Sequence, residues 1–300
     1  MGSQLFHASA AAFAAFAALA GCKGSSPPPP SPSPAPSTVA SVPASAASSS
    51  APPPSRYHAR DVKDGHHVIV SLTYTGKPRP TTFDLPAPYE AHCGTVHAAS
   101  EALSVGGKGA DGVNGAVVWL EGITEGAALP GDALTQDEKA CSYSPHVFVG
   151  TVAQAIHLTN SDRGNHMVKV DFAGEPHLDD VTRVIGSGEG VILQPLPEWA
   201  GRIGRVTCPL HAWMSGWLLL FDHPYFAVTA AGVANMGRVP PGHYQLVVWH
   251  EGIDAPFDGK ELHASDPASI RVPIDVGKTD VNLAFTLGDD GSISRSAPPK

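Results

Sequence analysis

Beyond residue 56, hydrophobic and polar positions alternate in short runs. They fall at 67–74, 116–120, 152–158, 167–172, 203–208, 217–221, 244–249, 270–274 and 281–287. A period of two, rich in Val, Ile, Thr and aromatics, predicts strands. Turn formers separate the runs: Thr75-Gly76-Lys77-Pro78, Asp111-Gly112, Pro240-Pro241-Gly242 and Asp289-Asp290-Gly291. Many short strands between such turns predict an all-β sandwich. Trp217-Leu218-Leu219-Leu220-Phe221 reads as a buried strand. The only helix candidates are short, near 98–103 and 133–139. No nucleotide-binding glycine pattern and no nucleophile elbow stands out.

The first 56 residues break this pattern. Ala10 to Ala20 is apolar, contains Phe13, Phe16 and Leu19, and leads into Leu19-Ala20-Gly21-Cys22. It is short for a bilayer span and reads as a targeting segment. From Ser25 to Ser55 only Ser, Pro, Ala, Thr and Val occur. Such a segment has no apolar face to bury and reads as an extended spacer, reaching up to roughly 100 Å at about 3.1 Å per residue. About 245 residues remain, enough for two modest domains or one elaborated one. The net charge of −9 argues against a nucleic-acid partner. It suits solubility, and equally a basic redox partner.

The strongest chemical signal is Cys208-Pro209-Leu210-His211-Ala212-Trp213-Met214, a C-x2-H-x2-M spacing. A thiolate, an imidazole and a thioether are donors that suit copper cycling between two oxidation states, and two His, one Cys and a weak axial Met form the blue-copper arrangement. Val206 and Thr207 favour an extended approach, and Pro209 removes a backbone donor. The three donors are therefore expected on a short loop between two strands. The same spacing fits one helix face, where Cys and Met would be core residues; the strand-like flanks and Pro209 argue against that. A second His is still needed. Asn160-Ser161-Asp162-Arg163-Gly164-Asn165-His166 offers His166 just past an alternating run. Trp213 reads equally as a lid over a metal or as core. His146, His223 and His250 lie beside aromatics and read as packing and hydrogen-bonding residues.

With those residues in view, the stretch 140–222 resembles the cupredoxin (blue-copper) family, and its loop length resembles the amicyanin branch. The resemblance implies a Greek-key β-sandwich holding mononuclear type 1 copper through His166, Cys208, His211 and the weak axial Met214. It implies electron transfer with a partner protein rather than enzymatic catalysis. Many cupredoxins have Asn after the first His, whereas here Met167 follows and Asn165 precedes. Leu19-Ala20-Gly21-Cys22 resembles a bacterial lipobox, although no Lys or Arg stands before it. That resemblance implies lipidation of Cys22 and attachment to a membrane of the cell envelope, on the periplasmic or outer surface. Val239-Pro240-Pro241-Gly242-His243-Tyr244-Gln245-Leu246 resembles the carboxypeptidase regulatory-like, transthyretin-type sandwich. Val68-Ile69-Val70 with Gly76-Lys77-Pro78, then Val117-Val118-Trp119-Leu120, resembles the opening of the same module.

The expected organisation is a signal at 1–22, a linker at 23–56, an N-terminal β portion at 57–139, the copper domain at 140–222 and a C-terminal β portion at 223–300. The flanking portions are either one sandwich carrying the copper domain as an insertion or two sandwiches in series. If Cys22 carries lipid and Cys208 carries copper, Cys93 and Cys141 remain. In an oxidising compartment a leftover pair forms a disulfide. The alternatives are two reduced buried thiols, or a second metal site with His92, His97 or His146. Two further functional readings stand beside electron transfer: copper storage or sensing, and a metal-free surface sandwich that binds carbohydrate or protein.

Overall fold

The computed structural model describes residues 57–297, apart from 78–81, 86, 88, 96, 100–101, 108, 175–177, 179–180 and 254–266. The targeting segment, Cys22 and the spacer lie outside the described residues. The chain is all-β. Among the described residues, no helix is long and apolar enough to cross a membrane.

Strands from both ends of the chain share two sheets. In the first, Val117–Glu121 lies between Phe226–Val228 and Gly242–His250, and Ala268–Val276 forms the far edge. In the second, His66–Tyr74 pairs in parallel with Val281–Leu287 and antiparallel with Val233–Val239. Alternate residues of both sheets, among them Val68, Val70, Leu72, Val118, Leu120, Leu246 and Val248, meet in one apolar cluster. The two flanking portions are therefore one sandwich.

Residues 134–221 build two further sheets within this host. One has the order Ser142–Ser144, Leu134–Lys139, Ile156–Asn160, Gly190–Leu193. The other runs Val147–Thr151, His211–Phe221, Ile203–Cys208, His166–Phe172, Val181–Ile185. Ile156, Leu158, Val168, Val170, Val206, Leu218 and Leu220 fill the space between them.

The strands with no polar face sit where the two sandwiches meet. Val118 and Leu120 face the host core, so their neighbours Val117 and Trp119 point outward. Leu218 and Leu220 face the inserted core, so Trp217, Leu219 and Phe221 do the same. These outward residues join Val147, Val247 and Trp249 in a third cluster. At its edge Trp217 donates to Glu251 Oε2 (2.7 Å), and His146 Nε2 lies 2.5 Å from Glu251 Oε1. His146 thus serves the seam. His250 Nδ1 accepts from Gly252 N, and His223 Nδ1 accepts from Tyr225 N.

Both helix candidates are overturned. His97–Ala99 and Ser104–Gly106 are short strands. Leu134–Lys139 is a six-residue strand, running parallel to Ile156–Asn160 and burying Gln136 and Glu138. Its composition favours helix, but pairing on both edges overrides a weak intrinsic preference. The α-helix of the described residues is a single turn, Glu90–Cys93, stopped by Gly94 in the left-handed conformation.

Candidate metal centre

The ligand motif forms a tighter unit than a loop. Strand Ile203–Cys208 passes through Pro209 and Leu210 straight into strand His211–Phe221, and Cys208 is the pairing partner of His211. The register slips between Thr207 and Cys208, and a bulge of this kind re-aims the side chains beside it. His211 and Met214 therefore stand on a strand, not on the expected loop. Cys208, His211, Trp213 and Met214 are buried, while Leu210 at the tip is exposed. Met214 lies in the same apolar cluster as Cys208.

His166 opens strand His166–Phe172 and is fully buried. Asn160 shapes the turn before it. Its Nδ2 donates to the carbonyls of Gly164 (2.8 Å) and Ile185 (2.9 Å), and its Oδ1 accepts from Asp162 N (2.9 Å). The turn aims His166 at the hairpin. His166 Nδ1 lies 3.0 Å from His211 Nδ1, and Cys208 Sγ lies 3.5 Å from His211 Nδ1. The amide of Met167 donates to Cys208 Sγ at 3.3 Å. His157, half-buried on Ile156–Asn160, is not part of this cluster.

A second sulfur is close. Cys141 Sγ and the two imidazoles lie within 4.8 Å of one another. Cys141 is bonded to Cys93, with Cα atoms 5.1 Å apart, so its sulfur cannot ionise. Cys208 is the free cysteine of the described residues and supplies the thiolate. The donors fit a metal ion. Bonds of about 2.0 Å to imidazole nitrogen and about 2.3 Å to sulfur let one ion reach two donors up to about 4 Å apart. Both observed separations are shorter.

The electrostatics favour a thiolate. Burial alone would raise the Cys208 pKa, but hydrogen bonds from His166 and His211 and from the amides of Met167 and Leu210 draw it down to about 6. Burial acts to lower that of His166, yet the bond to Asp162 and the nearby Cys208 lift it to about 9. These shifts favour a Cys208 thiolate beside a protonated His166, whose proton a metal ion bound at the ring would displace.

Asp162 is the residue that ties this site together, and sequence reading passed over it although it lies in the quoted turn. Its Oδ2 is 2.9 Å from His166 Nε2. Its two oxygens also accept from the amides of Ala140 (2.7 Å) and Cys141 (2.8 Å). Burial would raise its pKa, but these bonds outweigh burial and lower it. Ala140 and Cys141 both have positive φ, 53° and 52°, a conformation L-residues adopt at a penalty. They form the primed turn that joins Leu134–Lys139 to Ser142–Ser144, with Asp162 and the Cys93 bridge holding it. A carboxylate on the far nitrogen of a ligating His fixes the ring and its tautomer. Asp162→Asn is therefore expected to lower metal affinity roughly 10- to 100-fold. Competition with a chromophoric chelator measures that change, and far-UV circular dichroism should stay unaltered.

A cover lies over His211. Tyr89, at the start of the short helix, meets the His211 ring at 5.3 Å and Trp213 at 4.7 Å, edge-on in both cases, and Trp213 meets His211 at 5.3 Å. Arg163 N donates to His92 O, and the Cys93–Cys141 bridge fastens the helix to the turn below. His211 is 4% exposed as a result. Nothing in the local sequence marks Tyr89, because its role comes from a remote segment. Glu138 was likewise missed. It is 1% exposed, and neither carboxyl oxygen has a hydrogen-bond partner among the described residues. Burial pushes its pKa up to about 8, with His166 opposing.

No family model matches the chain, and no curated protein does. Among solved structures, the copper-containing nitrite reductase NirK of Thermus scotoductus SA-01 shows a partial likeness. Identity is 19%, with 32% of this chain and 24% of that chain covered, and the TM-score is 0.26. The chain thus matches about a quarter of that protein's length.

Proposed function

We propose that this chain is a mononuclear copper protein that transfers electrons, with Cys208, His166 and His211 as the strong donors. The observation that carries the reading is the convergence of two imidazole Nδ1 atoms and one free, acidified thiol in a buried pocket. Copper would supply one-electron redox chemistry there, between the +1 and +2 states. The protein's own part is to hold three donors in place: Asp162 orients His166, the Met167 amide steadies the thiolate, and the apolar surroundings exclude water. Little then has to move when the charge changes. In this reading the protein is not itself an enzyme, exchanges electrons with a partner protein, and is exported and held at the cell envelope through lipid on Cys22.

The test is the visible spectrum. Copper-reconstituted, oxidised protein should be blue or green from thiolate-to-copper absorption; colourless protein would overturn the assignment. Met214 is read as the weak axial donor. Met214→Leu should keep the copper and the thiolate band but raise the reduction potential in protein-film voltammetry. Loss of copper in that variant would make Met214 a principal donor. One observation favours a second reading, copper holding without fast exchange: Tyr89 and Trp213 cover His211. Reduction by small reagents that is slow, on the scale of minutes, would support it.

A further inference from the structure

Glu138 is the one carboxylate near the centre that no described group satisfies. It lies on strand Leu134–Lys139, opposite Asn160 on one side and Tyr143 on the other. Its side chain enters the inserted sandwich, where only 1% of the residue is exposed and both oxygens lack a hydrogen-bond partner among the described residues. The charges it senses most strongly are those of His166 and then Cys208. Tyr143, its pairing neighbour, donates to the carbonyl of Met167, whose own amide reaches the Cys208 sulfur. Glu138 therefore points into the same interior as the metal donors. Buried carboxyl groups are paired, hydrogen-bonded, bound to a metal or neutralised through a raised pKa. Among the described residues the first two are missing, and the metal donors belong to the same inserted sandwich.

We propose that Glu138 is a further protein donor to the metal ion held by Cys208, His166 and His211, so that the centre contains a carboxylate. This inference rests on the reading of that cluster as a metal site. A carboxylate oxygen is a hard anionic donor, unlike the thioether of Met214. It favours Cu(II) over Cu(I) and also suits Zn(II). The centre would accordingly have a lower potential than a site with Met214 as its only extra donor, and it would hold zinc well.

The experiment compares full-length wild type with Glu138→Gln and Glu138→Asp. Each is titrated with Zn(II) against a chromophoric chelator, and each is loaded with Cu(II) for visible and electron paramagnetic resonance spectra. In Glu138→Gln, Zn(II) affinity should fall at least about tenfold, the copper hyperfine pattern should change, the potential should rise, and the thiolate band should remain because Cys208 is still present. Glu138→Asp, which keeps the charge but shortens the reach, should fall between the two and guards against misfolding of the amide variant. Zinc affinity within about twofold of wild type together with a superimposable copper spectrum would overturn the proposal. So would a change confined to the melting temperature of the metal-free protein, which marks a structural role. If wild type shows no thiolate-to-copper band, the copper reading fails, and the zinc arm still decides the role of Glu138.

Discussion

Replacing Cys208 with alanine is expected to remove the visible colour of the copper-loaded protein and to weaken copper binding by more than about 100-fold, beyond what outer-shell changes produce. The reason is specific to the pocket. Cys208 is the free sulfur there, its pKa is drawn down to about 6, and the two imidazoles are arranged around it. The neighbouring Cys141 sulfur cannot replace it while bonded to Cys93. Wild-type affinity should also rise with pH between about 6 and about 9. Over that range the thiol is ionised, while His166 still gives up the proton it holds to about 9. Chelator competition across that range, with and without Cys208→Ala, measures both effects. Retention of the visible band in the variant would locate the thiolate elsewhere.

Removing the Cys93–Cys141 bridge by a double alanine substitution is the second large effect. The two cysteines are 48 positions apart, and in the chain-entropy account a loop of that size contributes roughly 4 kcal/mol. For a chain of this size that corresponds to a fall in melting temperature of about 8–16 °C. A second consequence is local. The bridge anchors both the turn whose amides bind Asp162 and the helix that brings Tyr89 over His211. The variant's copper spectrum should therefore become sensitive to added azide or imidazole, to which the wild type should be indifferent. Equal melting temperatures would remove the bridge from the stability of the fold, and equal insensitivity to azide would detach the cover from it.

The fold class was legible because strand signals are local: period-two alternation, β-branched residues and Pro/Gly turns. Runs 203–208 and 281–287 coincide with strands Ile203–Cys208 and Val281–Leu287. The candidate donors of the hairpin were legible for the same reason, since Cys208, His211 and Met214 lie within seven residues. His166 needed only the polar turn before it. What was hidden depends on distant segments. Leu134–Lys139 reads Leu-Thr-Gln-Asp-Glu-Lys, a poor strand by composition, and it is held between Ser142–Ser144 and a parallel neighbour. Taking it for a helix concealed Glu138 entirely. Tyr89 could not be connected to His211 from sequence, nor Asp162 to the amides of Ala140 and Cys141. The choice between an insertion and two sandwiches in series also turned on remote pairing, of Val117–Glu121 with Gly242–His250.

That arrangement imposes an order of events during synthesis. Among the described residues, the strands of the inserted sandwich pair with one another and with no host strand, and the last of them ends at Phe221. Domains complete earlier in the chain fold first as it emerges at roughly 5–20 residues per second. The host cannot keep pace, because Val68 waits for Val281 and Val117 waits for Trp249. The inserted sandwich, with Cys208 inside it, can therefore close on its own strands, whereas the host sheets close only with the last tenth of the chain.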